Sequence, residues 1–172
     1  MRRVIILLLM QVLLWALLAE LNHGLSGWQV HIFGGALFVV YPALHLGRTE
    51  GLIVAGWAGL LCDAHSPVTF GTHGLLFAAA HLLLFRARER VPRKDPVSQI
   101  LVVLFTNLAL FLGLNLLRLP LAPAIGGVWA RLLPDLLASQ LTLVAVTVWY
   151  LALQDRLVRL VDTWTERSGQ RG

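Results

Sequence analysis

Gly56-Trp57-Ala58-Gly59-Leu60-Leu61-Cys62-Asp63-Ala64-His65-Ser66-Pro67-Val68-Thr69-Phe70-Gly71-Thr72-His73-Gly74 is the stretch that decides how this chain folds. An apolar segment with small residues at Gly51, Ala55 and Gly59 arrives at a carboxylate, Asp63, breaks at Pro67 and restarts as a second apolar segment at Gly71. Arg48 and Glu50 belong in water, so a helix beginning near Gly51 has climbed only about 20 Å when it reaches Asp63. A hydrocarbon core is about 30 Å thick. Residues 71–85 rise about 22 Å before Arg86, so the returning helix is short as well. Two short neighbours put their turn below the membrane surface. Irregular backbone is tolerated there only under cover of protein or beside a water-filled recess.

Composition fixes the class. The chain is 58% hydrophobic and 13% charged, against about 25% charged residues in ordinary soluble domains. At 172 residues it can be one helical membrane domain, with no room for a soluble catalytic domain. Its single cysteine, Cys62, excludes an intrachain disulfide and a thiol cluster. Met1-Arg2-Arg3 followed by an apolar run reads as a signal anchor that is retained, because no small-x-small cleavage site follows and further apolar segments do.

Six apolar segments are expected, at about 4–21, 28–46, 51–63, 71–85, 97–117 and 134–153. Trp28 reads as an interfacial anchor opening the second, and Pro42 should kink or end it. Gly71, Gly74, Ala78 and His81 share one face of the fourth, and small faces let membrane helices approach closely. The third and fourth are therefore expected to pack together or against a close neighbour. Gln11, Thr106, Asn107, Asn115 and Gln140 are polar within apolar runs, and the last four are read as bridges between helices. Residues 118–133, broken by Pro120, Pro123 and Gly126-Gly127, are expected to form an outer loop at the interface. Pro134-Asp135 suits a helix start. The chain thus divides into a six-helix membrane domain, 1–153, and an amphipathic cytoplasmic tail, 154–172.

With six spans and both termini cytoplasmic, all of the 14 Lys and Arg except Arg118 and Arg131 fall inside. That is a strong positive-inside pattern. The net charge of +5 then reports topology and contact with anionic headgroups. No aromatic-interleaved basic patch of the nucleic-acid kind is present.

Asp63 is the sharpest candidate for function. A carboxylate at membrane depth costs roughly 2.5–3.5 kcal/mol on insertion scales, so something must satisfy it. It either contacts a substrate, ion or partner in an outward recess, or clamps the start of the next helix by accepting N–H and hydroxyl donors around Thr69, Gly71 and Thr72. Asp63, His65, Thr69 and His73 are the only dense polar set, and they form the candidate recess. His65, His73 and His81 recur at intervals of eight, but without H-E-x-x-H, paired acids or cysteine ligands they are read as polar packing residues, and no metal or cofactor is expected. No G-x-S-x-G, Walker A or recognisable triad is present, so no catalytic residue is assigned.

Gly56-x-x-Gly59-Leu60-Leu61-x-Asp63, then Pro67, then Phe70-Gly71-x-x-Gly74, resembles the central signature of the bacterial rod shape-determining MreD family. Chain length, six apolar segments, Tyr41-Pro42 at the end of the second and a basic loop after the fourth fit that family. The motif covers about twenty residues, while the pattern covers most of the chain. The resemblance implies a non-enzymatic, multi-pass protein of the bacterial cytoplasmic membrane that supports lateral-wall peptidoglycan synthesis and cell shape. Its implied partners are MreC, the glycosyltransferase RodA with its penicillin-binding transpeptidase, and the MreB filament system. The implied fold is similar to the substrate-binding S-components of energy-coupling-factor transporters. Gly56, Gly59, Asp63, Pro67 and Gly71 are the matching signature positions, with a structural role. The competing expectation is a small-molecule-binding transport module of the S-component kind, with the outward recess as its pocket.

Overall fold

In a computed structural model the apolar runs become six α-helices among the described residues. The structure describes residues 2–66, 69–91, 95–118 and 125–169, with side chains over 3–66, 69–91, 95–117 and 132–160, and no strand occurs among these residues. Three helices are long: α1, Arg2–Leu25; α5, Pro96–Arg118; and α6, Ile125–Gly169. Three are short: α2, Gly35–His45; α3, Arg48–Asp63; and α4, Thr72–Ala87. The stretches Arg3–Trp28, Pro96–Leu117 and Leu132–Leu160 are long and apolar enough to cross a membrane, which marks a membrane protein. The 16 residues of α3 and of α4 rise about 24 Å each, short of the ~30 Å core as expected.

The second segment departs from expectation. Trp28 does not open a helix but closes a 3-10 turn, Ser26–Trp28, and the helix begins only at Gly35. Residues 30–34 are non-helical. Their backbone is satisfied by side chains from other helices. Asn22 accepts the Ile32 N–H at 2.7 Å and donates to the Ile32 carbonyl at 3.0 Å. The His31 N–H donates to Asp135 Oδ1 at 2.8 Å and the Phe33 N–H to Ser139 Oγ at 2.8 Å. A hydrocarbon core offers no water to such groups, so a segment of this kind survives only where the protein supplies partners or a water-filled recess adjoins it.

Pro42 sits inside α2 rather than ending it. Lacking an N–H, it leaves the carbonyl four residues earlier, that of Phe38, without its helical donor. Gln11, buried in the middle of α1, fills the vacancy: its Nε2 donates to Phe38 O at 2.8 Å. The polar residue in one segment and the proline in another are one device. Gln11→Leu is expected to cost about 1–3 kcal/mol by stranding that carbonyl. In a Pro42→Ala background, where residue 42 can donate to it, the cost should shrink by at least half. A double-mutant cycle of thermal unfolding in detergent measures this, and equal costs in both backgrounds would refute the pairing.

α3 and α4 form the tightest pair, as the small faces implied. A Cβ added at Gly59 would lie 2.5 Å from Gly74 Cα, and one at Gly51 would collide with the His81 ring and the Pro42 carbonyl. The buried face of α4 is His73, Gly74, Phe77 and His81. Below it, Arg88 stacks 3.9 Å over the Phe85 ring and donates to the Leu46 carbonyl at the end of α2. Of the polar residues read as bridges, Gln140 donates to the Leu104 carbonyl and Asn107 accepts the Ala36 N–H. Thr106 is buried, but Asn115 turns back on its own helix, to Phe111 O.

The expected outer loop at 118–133 is replaced over its second half by helix. α6 begins at Ile125, and Pro134 lies inside it rather than opening it. The helix also continues without a break past Leu153 to Gly169, so no change of element marks the expected start of the tail. α5 opens on a cap: Asp95 Oδ2 accepts from the Ser98 hydroxyl at 2.6 Å and the Ser98 N–H at 3.0 Å, ahead of Pro96 in the first turn. The Ser98 hydroxyl, with that N–H, holds the Asp95 carboxyl below the usual carboxylate range. The cap therefore contributes above the unfolded-state value and is lost as pH falls through the lowered one.

Candidate functional site

Asp63 ends α3, and the chain must reverse within a few residues to start α4. Gly71 makes the last step of that reversal at φ +97°, a conformation that side chains with a Cβ rarely adopt. The reversal aims the first N–H groups of α4, which have no helical acceptor, at the Asp63 carboxylate. Gly71 N–H donates to Oδ2 at 3.0 Å, Gly74 N–H to Oδ2 at 3.1 Å and His73 N–H to Oδ1 at 3.0 Å. The His73 imidazole adds a fourth contact through Nδ1, 2.7 Å from Oδ1. Asp63 is only 4% exposed. An anion against a helix N-terminus is favoured by the helix dipole as well as by these bonds.

The clamp anticipated from the sequence is therefore present, with a different set of donors. Gly71 takes part. Thr69 and Thr72 instead bond each other at 2.8 Å, and Thr72 Oγ1 donates to the Thr69 carbonyl. His73 and Gly74 take their place. Among the signature positions, Gly59 lies against Gly74, Gly71 supplies the turn, and Gly56 has open space around it. Pro67 lies outside the described residues.

Beside the clamp is a recess of about 460 Å³. His65 and His73 line it; Asp63 stands behind His73 and does not reach the wall, and Thr69 is exposed away from it. The His65 ring packs on Trp15 with centroids 4.3 Å apart. The far wall comes from residues that the sequence did not single out for this role. His31, Phe33 and Gly34 come from the non-helical segment, Gly35 from the start of α2, Asn22 from α1, Phe111 and Asn115 from α5, and Asp135 from α6. The signal available for them was position: each lies near the same end of its segment. Arg48, Arg86, Arg88 and Arg90, by contrast, sit with the Leu46 end of α2, at the opposite end of the bundle.

Among the described residues no group of three or more His, Cys, Asp or Glu side chains could hold a metal ion. His81, fully buried, has neither ring nitrogen hydrogen-bonded among the described residues. It fills the space that Gly51 leaves. No protein-family profile, no curated protein and no solved structure matches this chain.

Proposed function

We propose that this chain is an MreD-like, non-enzymatic component of the bacterial cytoplasmic membrane. It binds MreC and supports lateral-wall peptidoglycan synthesis and cell shape within the elongation complex of RodA, its penicillin-binding transpeptidase and the MreB filament system. The observation that carries the reading is the clamp. Gly59, Asp63, Gly71 and Gly74, four of the positions on which the resemblance rests, meet at one joint between α3 and α4. The carboxylate is engaged there by three backbone N–H groups and the His73 imidazole, which suits a structural joint. By the positive-inside rule the cations around Leu46 support a cytoplasmic position for that end, with the recess facing outward, toward MreC's outer domain and membrane anchor. Co-expressed with MreC and solubilised in mild detergent, the chain should co-purify with it in stoichiometric amount. Loss of MreC on washing, together with normal rod shape after depletion of this chain, would overturn the proposal.

The recess favours a second reading, an S-component-like binding module. Its volume lies within the ~300–1,000 Å³ of small-molecule pockets. Native mass spectrometry of the purified protein tests it: a stoichiometric small molecule supports this reading, and a bare chain counts against it.

A further inference from the structure

We propose that the recess selects a small organic ammonium ion with an apolar, ring-sized body. The inference rests on the second reading above, that the recess is a ligand pocket, and assigns its chemistry. The polar groups that line it include a carboxylate and an amide oxygen, from Asp135 and Asn115. The Asp63 carboxylate can only accept, so His73 carries a proton on Nδ1. His73 is 5% exposed, lines the recess, and its Nε2 has no hydrogen bond among the described residues. His65 repeats the arrangement, with Nδ1 on the Leu61 carbonyl at 3.4 Å. Asn115 commits one of its two amide hydrogens to Phe111 O, and its carbonyl oxygen has no donor among the described residues. Asp135 brings a carboxylate of which only Oδ1 is engaged among the described residues, by the His31 N–H.

Two sets of donors beside these groups are committed elsewhere. Asn22 gives its amide to Ile32, and the N–H groups at the head of α4 go to Asp63. The wall thus presents a carboxylate among aromatic rings, Trp15, Phe33 and Phe111. Ring faces carry negative potential and attract cations. An anionic ligand would be repelled by the Asp135 carboxylate, and a neutral one would bring it no counter-charge.

The test uses the full chain in detergent micelles and three probes of one shape: 2-phenylethylammonium, 2-phenylethanol and 3-phenylpropanoate, titrated by calorimetry. The ammonium should bind saturably and at least tenfold tighter than the alcohol, with the carboxylate not binding over the same range. Asp135→Asn keeps an oxygen for the His31 N–H and should bring the ammonium down to the affinity of the alcohol, with partition into micelles unchanged. If the alcohol or the carboxylate binds as tightly as the ammonium to the wild-type chain, the assigned chemistry is wrong while the pocket stands. If none of the three binds saturably, the pocket reading falls with it.

Discussion

Asp63→Ala is expected to be the most damaging single polar substitution in the described part of this chain, lowering stability by about 3–5 kcal/mol, the range seen when one partner of a buried charged network is removed. The carboxylate holds three backbone N–H groups and one imidazole N–H. Each donor left buried without an acceptor costs about 1–3 kcal/mol, and those that rotate toward the recess recover part of this from water. A neutral bridge such as Gln140 to the Leu104 carbonyl is worth only about 0.6 kcal/mol, so Gln140→Leu sets the scale for comparison. Asp63→Asn should fall between the two. Its amide oxygen still receives two donors, while its NH₂ meets the other two head-on. Thermal unfolding in a fixed detergent orders the three variants. An Asp63→Ala midpoint no lower than that of Gln140→Leu would show that the head of α4 is held by packing alone.

The same joint explains what could be read in the residues and what could not. The truncation of α3 and α4 was legible because charged residues, Pro67 and glycines bracket two short apolar runs. A buried acid at the end of one pointed to the N–H groups at the start of the other. Which donors it takes was not legible. That depends on where the helix begins within the turn, and Gly71 at positive φ sets the first helical residue at Thr72, bringing His73 and Gly74 over the carboxylate and turning Thr69 and Thr72 away.

The shortness of α2 was hidden for a different reason. Residues 28–34 have no proline or run of turn residues to stop a helix. Two of the three side chains that hold them out of a helix, Asp135 and Ser139, lie more than a hundred positions away. Periodicity reports neighbours along the chain and is blind to such partners. Pro134 misled in the opposite sense. Proline is compatible with both a helix start and a membrane helix interior, and only the turns before it, from Ile125, decide between them. The recess inherits both differences, since one wall is the extended segment and another is the face of α6 that presents Asp135.

Gly59 carries the second large expectation. A Cβ there would lie 2.5, 2.6 and 2.7 Å from Gly74 Cα, Gly74 N and His73 C, all backbone atoms that no rotamer change can move. Overpacking in a core costs about 1–3 kcal/mol when side chains can adjust. With backbone on both sides α3 and α4 must separate, and Gly59→Ala should reach ~3 kcal/mol or more. The separation also pulls Asp63, one turn further along α3, away from the N–H groups it holds, so the two losses couple. Asp63→Ala and Gly59→Ala combined should therefore destabilise by less than their sum, as is usual for residues sharing partners. Gly56 is the internal control. It belongs to the same motif, yet a Cβ there meets nothing within 4 Å, and helix propensity alone predicts that Gly56→Ala is neutral or stabilising by up to about 1 kcal/mol. Comparing the folded yields and unfolding midpoints of the two alanine variants separates a glycine needed for contact from one that is not. Equal damage at both positions would mean that the close approach of α3 to α4 is not what the motif protects.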